Sequence, residues 1–149
     1  MRPSDWLQLR RTVRFGDTDA AGVMHFHQLL RWCHEAYEES LERFGISAEA
    51  VFPSLAQAPT VALPIVHCQA DFLAPLVCGD PLEISLQPQR EGPGCFSLHY
   101  RFSSHGLAAA AALTRHRSID AASRDRRELP EPIRRWLEAS QLGQIEPLV

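Results

Sequence analysis

Phe15-Gly16-Asp17-Thr18-Asp19-Ala20-Ala21-Gly22-Val23-Met24-His25-Phe26 is the stretch on which the reading of this chain turns. It sets two carboxylates and two glycines between a strand-like segment and a long amphipathic helix. A carboxylate delivered to a helix N-terminus sits beside backbone N–H groups that lack intrahelical partners and face any nearby anion or carbonyl oxygen. Aspartates in such a place equally serve as turn and cap residues. On local chemistry both readings stay open.

On the N-terminal side of this stretch, Leu7, Leu9, Arg11, Val13 and Phe15 alternate with Gln8, Arg10, Thr12 and Arg14, the period of a strand. On its C-terminal side, Leu30, Cys33, Tyr37, Leu41 and Phe44 recur at helical spacing and predict a helix over residues 27–44 with one apolar stripe. Arg31 with Glu35, and Glu39 with Arg43, stand four apart and can pair on the wet side. Gly45 then supplies the left-handed position that ends the helix.

Pro53 and Pro59 break up residues 46–60. From Ala62 to Phe72 the period becomes two: Ala62, Pro64, Val66, Cys68, Ala70 and Phe72 share a mostly apolar face, and His67, Gln69 and Asp71 the other. Pro64 lacks an N–H, which predicts an edge position or a bulge. Leu82, Ile84 and Leu86 alternate next, followed by a Gly92-Pro93-Gly94 turn. Phe96, Leu98, Tyr100 and Phe102 make the cleanest strand, ending in a Ser103-Ser104-His105-Gly106 hairpin turn.

Residues 107–119 contain Ala108 to Ala112, and propensity alone favours a helix there. Their place after a hairpin turn favours a buried strand whose small side chains leave room for a packed helix, and a strand is expected. Residues 130–142 predict a short terminal helix with Pro130 and Pro132 in its first turn. The order is strand, long helix, four strands in successive antiparallel connections, then a small helix. That is an α+β arrangement of one antiparallel sheet on one buried helix. No repeat or linker divides the 149 residues, so a single domain over 1–149 is expected.

With 45% hydrophobic and 22% charged residues, the composition is that of an ordinary globular domain. A net charge of −3 provides no basic field, so nucleic acid is not an expected partner. No apolar run approaches the ~20 residues of a membrane span, and residues 1–11 lack a signal-peptide core, so the expected location is the cytoplasm. Cys33, Cys68, Cys78 and Cys95 are irregularly spaced without a Cys-x-x-Cys pair, which predicts buried free thiols. The chain lacks the Gly-x-Ser-x-Gly elbow, the dinucleotide Gly-x-Gly-x-x-Gly and the phosphate-cradling P-loop. His27, His34 and Glu38 lie near one helix face, but spacing adds no further ligand, so neither a metal nor a cofactor is expected. His25 and His27 flank Phe26, where they line a site or stay solvated. His67 lines a pocket or is simply exposed.

Phe15-Gly16-Asp17-Thr18-Asp19-Ala20-Ala21-Gly22-Val23 followed by a long helix resembles the signature of the 4-hydroxybenzoyl-CoA thioesterase branch of the hotdog-fold superfamily. Phe72-x-x-Pro75-x-x-x-Gly79-Asp80-x-Leu82 is similar to that branch's second and third strands. Cys33-His34-Glu35-Ala36-Tyr37-Glu38 and Ala62-Leu63-Pro64-Ile65-Val66-His67 resemble the 1,4-dihydroxy-2-naphthoyl-CoA hydrolases of phylloquinone synthesis. The resemblance implies a hotdog fold and thioester hydrolysis of an acyl-CoA. It favours an aromatic acyl group, 1,4-dihydroxy-2-naphthoyl above all, with hydroxybenzoyl and short-chain groups as rivals. It also implies homo-oligomers, namely dimers with paired sheets, often assembled into tetramers, with active sites between subunits.

The same resemblance makes Asp19 the catalytic carboxylate and the Phe26 backbone N–H a donor to the thioester oxygen. Asp17 is then left to shape the turn. Substrate contacts are expected from His25, His67 and Arg90, with Arg101, Arg115 and Arg117 as further cations for the CoA phosphates. Each of these arginines is otherwise a solvated surface charge. His25 and Phe26 stand where a more uniformly aromatic pair is common, which bears on the shape of the acyl pocket. A donor aimed at the oxyanion is worth ~3–4 kcal/mol, and the helix end favours an ionised carboxylate. Such a carboxylate can attack directly or activate water. Competing readings are a hotdog dehydratase using His67 and Asp71, and an acyl-CoA-binding scaffold without catalysis.

Overall fold

The computed structural model describes residues 1–141. In chain order these form α1 (Ser4–Leu7), β1 (Gln8–Thr12), a 3-10 turn (Phe15–Asp17), α2 (Phe26–Phe44), α3 (Ala48–Val51), β2 (Val61–Ala62), β3 (Ile65–Phe72), β4 (Pro81–Gly92), β5 (Cys95–Ser104), β6 (Leu107–Arg117), β7 (Ile119–Asp120) and α4 (Glu131–Gln141). The expected terminal helix is α4, and Leu142 lies outside the described residues.

The long helix begins one residue earlier than expected and ends at Gly45, whose φ of 110° is the left-handed conformation that glycine adopts without penalty. Its buried surface is wider than a single stripe. Leu29, Trp32, Cys33, Ala36, Tyr37, Ser40 and Leu41 are all buried, because the sheet covers one side of the helix and α4 another. Both expected i, i+4 ion pairs form, Arg31–Glu35 at 3.3 Å and Arg43–Glu39 at 3.0 Å. Glu39 also holds Arg11 at 2.6 Å, which ties α2 to β1.

Five antiparallel strands make the main sheet in the order β1-β4-β5-β6-β3, while β2 and β7 form a separate two-stranded ladder. Four strands joined by successive neighbouring connections were expected; instead, residues 73–80 carry the chain from the β3 edge across the sheet to the strand beside β1. There β4 pairs with β1, setting Leu9 opposite Ile84, and among the described residues β3 pairs with β6 alone. The far edge suits β3. Pro64 precedes it, and its register slips between Ile65 and His67, so the proline's missing donor costs no ladder bond.

The alanine-rich segment is a strand, as its position after the hairpin implied. Residues His105 and Gly106 have φ of 51° and 76°, the left-handed pair that joins β5 and β6 by a two-residue turn. Pairing on both sides outweighs the helix propensity of Ala108 to Ala112. Ala110 and Ala112 are buried there, leaving room for the helix.

The strand from Ala62 to Phe72 departs most from expectation. Leu63 and Pro64 break it, and the presumed apolar face of β3 is open. Val66 and Phe72 are each 52% exposed, so Phe72 is not a core residue. An edge strand reaches past the cover of α2. The cysteines follow the same geometry: Cys33 is buried, Cys95 half-buried, and Cys68 and Cys78 are exposed, contrary to the expectation of four buried thiols.

The core joins Leu29, Trp32, Tyr37 and Leu41 of α2 to Leu9, Leu82, Ile84, Phe96, Leu98, Tyr100 and Phe102 of the sheet. Trp136 of α4 donates to Ser40 Oγ at 3.1 Å, and Trp6 donates to Ser140 Oγ at 2.9 Å, so α4 is latched to both α2 and α1. His116 lies within this core, 1% exposed, its ring parallel to Phe96 at 4.7 Å. Nε2 of His116 meets Thr114 Oγ1 at 2.9 Å, and Thr114 in turn meets Tyr100 OH at 2.9 Å. Burial pushes the His116 pKa down to about 4, against a weaker upward pull from the Leu63 backbone.

Candidate active site

The motif stretch is a tight hairpin between β1 and α2. Thr18 and Met24 face each other as an antiparallel bridge, and Asp19, Ala20, Ala21 and Gly22 form the tip. The Asp19 N–H donates to the Val23 carbonyl at 2.8 Å, and the Gly22 N–H donates back to the Asp19 carbonyl at 3.0 Å. Gly22, at φ 82°, supplies the left-handed residue that lets the tip close.

The two carboxylates sit differently. Asp17 closes the 3-10 turn: its Oδ2 accepts the Arg14 N–H at 2.8 Å, and its carbonyl accepts the His25 N–H at 2.8 Å. Asp19 is exposed at the tip, with Oδ1 accepting the Ala21 N–H at 2.8 Å. Among the described residues, nothing donates to Asp19 Oδ2. One oxygen therefore orients the side chain while the other is open to a ligand.

Residues 73–80 hold this hairpin from below. The Met24 N–H donates to the Leu76 carbonyl at 2.8 Å, and Val13 exchanges backbone bonds with Gly79 and Asp80 at 2.7 and 2.9 Å. Asp80 Oδ2 in turn accepts the Val77 N–H at 2.9 Å. The second stretch quoted from the sequence, around Pro75, Gly79 and Asp80, is therefore the platform under the first. Nothing in its spacing announced that contact, since it joins residues more than fifty positions apart.

At the mouth of α2, His25 is the N-cap and its carbonyl accepts the Gln28 N–H at 2.9 Å. Phe26 opens the helix with its side chain 70% exposed, and among the described residues nothing accepts its N–H. Phe15, 83% exposed in the 3-10 turn, is a second bare aromatic ring on the motif that sequence reasoning did not single out for a site.

Asp19, His25 and Phe26 thus share one hairpin and helix mouth, whereas His67 and Arg90 do not join them within the chain. His67 lies near the start of β3, opposite Arg115, with its ring 3.5 Å from Gln69 Oε1. The motif lies at the other end of the sheet, beyond Thr12, which pairs with Pro81. Arg90 is nine residues further along β4, ~30 Å away at strand rise, where its Nε donates to the Gly92 carbonyl at 3.0 Å. Arg101, Arg115 and Arg117 form no ion pair among the described residues.

His34 contacts Glu38 at 2.8 Å on the outer face of α2, and His105 lies 3.5 Å from Asp80. Among the described residues, no three His, Cys, Asp or Glu side chains converge as a metal site requires. No helix among them is long and apolar enough to cross a membrane.

Residues 13–137 match the model of the thioesterase-like superfamily. A protein of Synechococcus sp. strain CC9311 named 1,4-dihydroxy-2-naphthoyl-CoA hydrolase is 59% identical over 146 residues, covering 96% of both chains. Its namesake in Synechococcus sp. strain RCC307 is 61% identical over 128 residues, 86% of this chain and 98% of that one. Among solved structures, a 1,4-dihydroxy-2-naphthoyl-CoA thioesterase from Synechocystis superposes with a TM-score of 0.81 at 34% identity, covering 88% of this chain and 94% of that one. The fold therefore agrees with that of the Synechocystis thioesterase over 88% of this chain. This chain belongs to the thioesterase-like superfamily, with the hotdog fold, and to the same family as the cyanobacterial proteins named 1,4-dihydroxy-2-naphthoyl-CoA hydrolase.

Proposed function

We propose that this protein hydrolyses 1,4-dihydroxy-2-naphthoyl-CoA to 1,4-dihydroxy-2-naphthoate and CoA. The observation that carries the reading is identity of 59% along 96% of a relative bearing that name, with the whole motif hairpin inside the match. In this reading residues 1–149 act as one hotdog thioesterase domain. Exposed free thiols at Cys68 and Cys78 suit a reducing compartment, which supports the cytoplasm.

Asp19 is the catalytic carboxylate. Its free Oδ2 attacks the thioester carbonyl carbon or takes a proton from the water that does. In the first case CoA thiolate leaves and water opens the resulting anhydride; in the second the acid forms in one addition and collapse. Either route builds negative charge on the carbonyl oxygen, and in this reading it is received by the Phe26 N–H, which has no acceptor among the described residues.

The site is completed by a second copy. Among the described residues nothing pairs with the outer edge of β3, and Ile65, Val66 and Phe72 are exposed along it. An open edge of eight residues that exposes Ile65, Val66 and Phe72 invites antiparallel pairing with its own copy. That pairing sets the start of one β3 against the end of the other. His67 and the adjacent Arg115 of one subunit then approach the motif of its partner, where they meet the acyl group and the CoA phosphates. Arg90, on the remote end of β4, has the weaker claim.

A dehydratase needs a histidine and a carboxylate as an acid–base pair at the thioester. Among the described residues the only such contacts are His34–Glu38 and His105–Asp80, and neither involves His67 or Asp71. The decisive experiment is thiol release from naphthoyl-, benzoyl- and butyryl-CoA thioesters by the wild type and Asp19→Asn. The naphthoyl thioester is expected to have the highest kcat/KM, and Asp19→Asn to lose at least ~100-fold in kcat. Comparable rates for both proteins refute the assignment of Asp19; preference for butyryl-CoA refutes the substrate.

A further inference from the structure

His25 is the residue at which the motif and α2 are joined, and its backbone and ring are both committed to that junction. Its N–H donates to the Asp17 carbonyl at 2.8 Å, and its carbonyl accepts from Gln28 at 2.9 Å. With φ −64° and ψ 136° the residue is extended, which turns its side chain back over the first turn of the helix. There Nδ1 accepts the His27 N–H at 3.4 Å. The ring lies stacked on that of His27, centroids 3.8 Å apart and planes 28° from parallel, with the Phe26 ring at 4.9 Å.

A helix N-terminus begins with donors that have no partner inside the helix. Here the His27 and Gln28 donors are both taken by His25, one by its ring and one by its carbonyl. The first donor, Phe26 N–H, is left over among the described residues. We propose that His25 is a positioning residue for thioester hydrolysis: its imidazole caps α2, withdraws the neighbouring donor and leaves Phe26 N–H as the one that meets the thioester oxygen. This inference rests on the roles given above to Asp19 and Phe26.

Histidine is an uncommon cap, since the residues that prefer this position have short side chains carrying an oxygen. The 3.4 Å contact is also long for a hydrogen bond. Stacking on His27 holds the ring where its nitrogen can serve. The role requires Nδ1 to be bare and the ring's proton to sit on Nε2. The ring then works through the placement of α2 rather than by touching the acyl group.

The test compares two kinds of replacement in the intact protein, with 1,4-dihydroxy-2-naphthoyl-CoA as substrate. His25→Phe keeps a stacking ring without an acceptor, and His25→Ala removes both; His25→Asn keeps an acceptor within reach of the first turn. Loss of the cap is expected to lower kcat about fivefold in His25→Phe and His25→Ala, with KM within about twofold of wild type. His25→Asn is expected to recover most of that kcat. A rise in KM with kcat unchanged in His25→Phe would mean that the ring binds substrate, and overturns the proposal. So does a kcat in His25→Asn as low as in His25→Phe. Asp19→Asn run alongside separates the two readings. An active Asp19→Asn removes the site itself, whereas an inactive Asp19→Asn with a wild-type kcat in His25→Phe removes only the cap.

Discussion

Acidification below pH 6.5 is expected to destabilise this fold through one residue, His116. Its ring is 1% exposed, stacked on Phe96 at 4.7 Å and packed against Tyr37 at 4.8 Å. Among the described residues, buried Nδ1 has no partner in good hydrogen-bond geometry, and the Leu63 backbone gives the ring only a weaker pull towards the charged form. An imidazolium there is attracted by the two ring faces, worth up to about 2 kcal/mol when desolvated. Removing the ion from water costs more, so burial dominates and the pKa falls to about 4, with a smaller contribution from the charge of His34.

Between pH 6.5 and 4 the unfolded chain therefore binds a proton that the folded one refuses, and stability falls as the pH falls. The loss is absent above pH 6.5, reaches about 2 kcal/mol near pH 5, and levels off at about 3 kcal/mol below pH 4. Urea unfolding followed by tryptophan fluorescence at pH 7 and pH 5 measures it, with His116→Gln as the reference that cannot titrate. At a urea dependence of roughly 2 kcal/mol per molar, the wild-type midpoint should drop about 1 M further than that of His116→Gln. Equal drops in the two proteins would refute a neutral buried His116.

Three further outcomes can be measured. Trp136→Phe leaves the buried Ser40 hydroxyl without its 3.1 Å partner and should cost about 1–2 kcal/mol, read as a fall of several degrees in Tm. Gly94→Ala puts a Cβ 2.5 Å from the Arg127 carbonyl oxygen, forcing the β4–β5 turn and the segment before α4 apart, at a cost of about 1–3 kcal/mol in urea unfolding. Val66→Lys places a charge on the bare β3 edge and should shift sizing-column elution to half the mass, with hydrolysis lost because each motif lacks its partner. An active monomer would refute a site shared between subunits.

Most of the fold was legible in the chain because its local signals agree with its packing. The period of 3.6 through Cys33, Tyr37 and Leu41 and the period of two through Phe96, Leu98 and Tyr100 each appear as the element they imply. Gly45 ends the helix as its backbone freedom predicted, and Arg31 and Glu39 find the partners four residues away. The carboxylates at Asp17 and Asp19 were visible as a pair, because turn chemistry is written in neighbouring residues.

Local pattern could not decide which strands become neighbours. Alternation in Val66, Cys68, Ala70 and Phe72 reads as a buried face, yet Ala70 is only half-buried and the other three are exposed, because β3 stands at the edge of the sheet. Ala108 to Ala112 favour a helix until β5 and β3 supply ladders on both sides. The same holds for the site. Sequence alone determined the motif, its two carboxylates and the helix that follows. The family resemblance assigns the turn to Asp17 and the chemistry to Asp19; tertiary structure shows Asp17 spent on its turn and Asp19 open at the tip, and it alone sets Leu76 beneath the hairpin. Short-range periodicity records what each segment buries, whereas contacts across fifty residues exist only once the sheet has closed around its helix.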